Sequence, residues 1–112
     1  MSQDEQEHKL KALPIACTLS DPREIEERRA AVENIFAGVT EKLELEDGYE
    51  FVFPGDNQHA RRIIQFVETE RKCCAFFTFE LVFEQSSGPI HLTLRGAAGV
   101  KDFLDDWMKA LS

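Results

Sequence analysis

A chain of 112 residues, 43% of them apolar and including nine Phe, is long enough to bury one core and too apolar to stay unfolded. Its formal net charge of −8 repels phosphate backbones and anionic lipid, which argues against nucleic-acid and membrane-surface binding. No early apolar stretch has the length of a signal peptide and no run approaches a bilayer span, so a cytoplasmic protein with reduced thiols is expected; three cysteines, an odd number, point the same way.

Residues 1–11 read as a flexible acidic tail carrying Asp4, Glu5 and Glu7, and residues 12–112 as a single α+β domain. Leu13, Ile15, Cys17 and Leu19 alternate with Pro14, Ala16 and Thr18, the period of a first strand. Ser20-Asp21-Pro22 supplies a cap and a first-turn proline for a helix running to about Ala37. That helix is expected to bury Ile25, Val32, Ile35 and Phe36, with Gly38 as its stop. From Thr40 to Phe53, an Asp47-Gly48 turn between apolar alternations predicts a hairpin. Asp56 or Asn57 caps a second helix that places Ala60, Ile63, Ile64 and Val67 on one face and ends near Lys72. Phe77, Phe79, Leu81 and Phe83 line one face of the next strand. Ser86-Ser87-Gly88 turns it into Ile90, Leu92 and Leu94, which alternate with outward His91, Thr93 and Arg95. After Gly96, a last helix carries Val100, Phe103, Leu104, Trp107, Met108 and Leu111 on one stripe.

This order, β-α-β-β-α-β-β-α, predicts a ferredoxin-like β-α-β-β-α-β core extended by a strand and a C-terminal helix, an antiparallel sheet with helices on one face. In that topology the first and fourth strands are neighbours. Cys17 then meets Cys73-Cys74 at one sheet edge, which also holds the start of the first helix and the Asp47-Gly48 turn.

Those three sulfurs are the residues whose chemistry exceeds what packing requires. A thiolate rather than a thiol binds metal or attacks an electrophile. The helix N-terminus near Asp21, with Arg71 and Lys72, favours ionised sulfur, while Glu70 and Asp47 oppose it. Three thiolates suit soft ions such as Hg(II), Cd(II), Cu(I) or As(III). Zinc would need a fourth ligand from Glu70, Asp47, water or a second subunit. His59 starts a helix at the opposite edge and His91 points outward, so neither completes the set. The plainer alternative is that buried cysteine acts as a small hydrophobe. Cys17 is in phase with Leu13, Ile15 and Leu19, whereas consecutive side chains in a strand diverge, so at least one of Cys73 and Cys74 is expected to leave the core. A disulfide between those neighbours closes a strained ring and is expected only as a minor state. Arg28-Arg29 with Glu26-Glu27 read as a solvated helical face, and Phe76, out of phase with its neighbours, as a residue facing a partner. No nucleophile, histidine and carboxylate share a hydrolase spacing, so a conventional enzyme is not expected.

The segment Glu70-Arg71-Lys72-Cys73-Cys74-Ala75-Phe76-Phe77-Thr78-Phe79, with the closing Leu92-Thr93-Leu94-Arg95-Gly96-Ala97-Ala98-Gly99-Val100-Lys101-Asp102-Phe103, resembles a family of small uncharacterised bacterial proteins. Cys17-Thr18-Leu19 and the Glu/Arg-rich helix after it match as well, and Ala75 stands where that family often has proline. Such proteins are often found in gene neighbourhoods concerned with mercury and other heavy metals, so the resemblance implies soft-metal handling. Three functions follow as expectations. The first is metal sequestration, delivery or sensing at Cys17, Cys73 and Cys74, with Glu70, Arg71 and Asp47 in support. The second is thiol redox or electrophile chemistry at the vicinal cysteines. The third is a homodimeric interaction module, paired through an edge strand or Phe76, in which the cysteines are structural.

Overall fold

A computed structural model describes residues 21–111 of the chain. The expected tail, the expected first strand and Cys17 lie outside the described residues.

Helix α1 spans Pro22–Phe36, with Asp21 in extended conformation accepting the Arg23 N–H at 2.9 Å and Pro22 in the first turn, where its missing donor is harmless. It buries Val32 and Ile35. The hairpin of β1 (Glu41–Leu45) and β2 (Gly48–Phe53) follows, then α2 (Asn57–Cys73), capped by Asp56 through the His59 N–H at 2.9 Å. Strands β3 (Thr78–Phe83) and β4 (Ile90–Arg95) are joined across Ser86 and Ser87, both at positive φ, and α3 (Val100–Leu111) closes the chain. None of the described helices is long and apolar enough to cross a membrane.

The architecture is α+β, compatible with a ferredoxin-like core, and the four strands among the described residues are all antiparallel in the order β1-β2-β4-β3. The strand expected as an extension, β4, is therefore central, paired with β2 on one side and β3 on the other. Tyr49, Phe51, Phe53, Ile90, Leu92 and Leu94 line one face of the sheet and join Val32, Ile35, Ile63, Phe66, Val100 and Leu104 from all three helices in one core. Burial of that shared face is the main force holding helices to sheet.

Local details depart from the pattern for identifiable reasons. The hairpin turns at Glu46-Asp47, one residue before the Asp-Gly step predicts. Gly48 is instead the first residue of β2, where an added Cβ would stand 1.9 Å from the Leu94 carbonyl oxygen. The pairing of Leu43 with Glu50 puts Leu43 on the outer face, while Lys42 and Glu44 lie opposite Phe51 and Tyr49. Ile64 is exposed because its neighbour Ile63 takes the core side of α2, and adjacent helical residues cannot share a face. Ile25, expected in the core, is also exposed. Phe76 is buried against Phe77 and Phe103, since β3 begins only at Thr78 and strand alternation does not yet apply.

Candidate thiol site

Ile63, Phe66, Glu70 and Cys73 are spaced along α2 so that all four face the core, and each is buried. Cys73 is the last residue of the helix. Cys74 is its cap and donates its N–H to the Glu70 carbonyl at 2.6 Å. The doublet thus sits on a helix end instead of a strand, and the expectation that one member would leave the core is corrected: Cys73 is 1% and Cys74 0% exposed. Cys73 is disulfide-bonded, in contrast to the reduced thiols expected from composition, whereas Cys74 is a free thiol. The bond is therefore not between these neighbours, whose Sγ atoms lie 3.9 Å apart.

The cation that reaches the Cys74 sulfur comes from α1. Arg28 donates from Nε and Nη2 to the two Glu70 carboxylate oxygens at 2.9 and 2.7 Å, and from Nη2 to Cys74 Sγ at 3.3 Å. Its guanidinium also lies 5.2 Å from the centre of the Trp107 ring, a cation–π contact from α3. Burial alone would lower the Arg28 pKa, but Glu70, with Cys74, outweighs burial and raises it. The thiol of Cys74 is pushed up to about 12, first by burial and then by the Glu70 charge, with Arg28 acting in the opposite sense. At neutral pH Cys74 is protonated.

Of the supporting residues predicted from sequence, Glu70 is at the site and opposes ionisation as expected. Arg71 lines a separate groove with Val67, Ala75, Phe77 and Phe79 on the β3 side of α2. Asp47 is held by Arg95, whose Nε lies 3.1 and 3.0 Å from its carboxylate oxygens. His59 is paired with Asp56 at the start of α2, and His91 with Glu50 and Glu84 on the outer sheet face, the positions expected for them. Cys73 also lines an open groove of about 540 Å³ between α1 and α2, with Glu24, Glu27, Arg28, Glu68 and Lys72. Among the described residues, no three His, Cys, Asp or Glu side chains gather as a metal site.

Arg28 is the residue beside Cys74 that the charge pattern concealed. Arg29 does form the expected solvated pairs, with Glu26 and Glu33, but Arg28 lies four and seven residues before Val32 and Ile35 and therefore on their face. Glu70 carries the same signal, a charge in phase with Ile63 and Phe66. Two opposite charges on buried faces of two helices predict a pair. No family model, curated protein or solved structure matches this chain.

Proposed function

We propose that the protein captures soft metal ions through the reduced sulfurs of Cys73 and Cys74, with Cys17 as a third candidate ligand. The observation that carries this reading is the 3.9 Å separation of the two Sγ atoms. Two sulfurs held tetrahedrally at the zinc–sulfur distance of about 2.3 Å lie about 3.8 Å apart, and larger soft ions set them somewhat further apart, so the 3.9 Å pair is on the scale of one shared ion. The raised pKa of Cys74 favours metal exchange over nucleophilic attack. A nucleophile needs standing thiolate, which is scarce at neutral pH, whereas a soft ion displaces the proton as it binds. Arg28 then neutralises the charge left on sulfur. Cys73 takes part once its disulfide is opened, so reducing conditions are required.

The test is anaerobic titration of reduced protein with Hg(II) or Cd(II), followed by competition with a chelator of known affinity. Cys73→Ser and Cys74→Ser should each weaken binding by at least about tenfold, since changes to residues that merely hydrogen-bond a ligand already cost roughly 10–100-fold. Affinity for the unaltered chain should rise with pH as displaced protons become easier to remove. Unchanged affinity and stoichiometry in both variants rejects the proposal.

A second reading, thiol–disulfide exchange, is favoured by the oxidised state of Cys73 beside a free thiol. It requires a reversible oxidised form in metal-free protein. Identical redox titrations of the unaltered chain and Cys74→Ser would remove Cys74 from that chemistry.

A further inference from the structure

Strand β3 is an edge of the sheet among the described residues, and it carries apolar side chains into solvent on both faces: Val82 is 54% and Phe83 51% exposed. Beside the same edge, on the helix side, runs the groove of about 380 Å³ lined by Val67, Arg71, Ala75, Phe77 and Phe79. Phe79, Leu81 and Phe83 alternate on that side, with Thr78, Glu80 and Val82 on the other. A projecting ring and a receiving groove thus lie on one strand, either side of Leu81.

We infer that β3 is a self-association edge, pairing antiparallel with β3 of a second copy about a two-fold axis through Leu81. The charges exclude the two registers one residue away. Side chains opposite one another across paired strands share a face, so the axis falls on a residue. Centring on Glu80 sets Glu80 against itself, and centring on Val82 sets Glu80 against Glu84; both oppose like charges. Centring on Leu81 instead pairs Leu81 with Leu81, Phe79 with Phe83, Glu80 with Val82 and Thr78 with Glu84. Phe83 of each copy then enters the other's groove beneath Arg71, a cation–π arrangement, and Glu84 arrives beside Thr78, whose neighbour on β4 is the basic Arg95. The contact is isologous and closed, and it leaves both sets of helices on one face of a continuous sheet.

Sedimentation equilibrium of the full chain under reducing conditions tests this. The expected mass is that of two chains, falling to one in Phe83→Asp and unchanged in Leu43→Asp on the opposite edge strand. Arg71→Glu, at an exposed helical position, should also give the single-chain mass and keeps the test open should Phe83→Asp fold poorly. A single-chain mass for the unaltered protein at every concentration overturns the inference. So does a dimer that survives both Phe83→Asp and Arg71→Glu.

Discussion

Two successive parts of the chain share one plan and differ in what they place at one point. The run α1-β1-β2 and the run α2-β3-β4 are each a helix, a short link and a hairpin, and the second strands of each, β2 and β4, pair at the centre of the sheet. In the first run, Ala37 follows the helix and gives its N–H to the Glu33 carbonyl; in the second, Cys74 does the same with Glu70. The two glutamates hold the same backbone position. Glu33 is exposed and paired with Arg29 of its own helix, while Glu70 is buried and paired with Arg28 of the other. The difference arises because α1 turns Val32 and Ile35 to the core, whereas α2 turns Ile63, Phe66, Glu70 and Cys73. A common chain plan thus makes an ordinary helix end in one place and a charged, sulfur-bearing junction in the other.

The largest expected effect follows from those glutamates. Glu70→Ala takes from Arg28 its carboxylate partner and should lower stability by about 3–5 kcal/mol, the range for breaking a buried pair. Glu33→Ala removes an exposed pair within one helix and should cost no more than about 0.5 kcal/mol. Urea unfolding of both variants under identical redox conditions makes the comparison; equal losses would break it.

The next effect sharpens the role of Cys74. Its folded pKa is raised from 9.0 to about 12, so above pH 9 the unfolded chain loses a proton that the folded chain keeps. The stabilisation is complete below pH 9 and is lost as pH rises toward 12, with a limiting slope of about 1.4 kcal/mol per pH unit. Cys74→Ala should flatten that part of the stability curve relative to the unaltered chain. Curves of equal slope would show that the thiol is not held as described.

The smallest effect lies on the outer sheet face. There Glu84 and then Glu50 hydrogen-bond His91 and raise its pKa above 6.5. The folded state therefore binds the imidazole proton more tightly, and this stabilisation is present below pH 6.5 and fades as pH rises through the folded value. His91→Gln should remove a modest pH dependence of the unfolding midpoint near neutrality. A midpoint with the same pH dependence in the variant contradicts the pairing.

Much of the described fold was legible in the residues. The Asp21-Pro22 and Asp56 starts, the strands at Phe79 to Phe83 and Ile90 to Leu94, and the amphipathic last helix follow from capping chemistry and period, which act locally. Sheet order was not legible, because pairing β4 between β2 and β3 is a long-range choice among strands with similar alternation. Gly48 marked the hairpin but acts through its approach to Leu94 across the sheet, which no local signal encodes. At the site, the sequence supplied Cys73, Cys74 and Glu70 but named Arg71 as the cation beside them, where Arg28 stands. Adjacency in sequence suggested the nearer cation. Helical phase assigns the residue that points inward.

The most direct measurement is X-ray absorption spectroscopy of reduced protein loaded with one equivalent of Cd(II) or Hg(II). The account predicts at least two sulfur neighbours around the ion, with one lost in Cys74→Ser and one lost in Cys73→Ser. An ion surrounded only by oxygen and nitrogen, or a sulfur count untouched by either substitution, would contradict it.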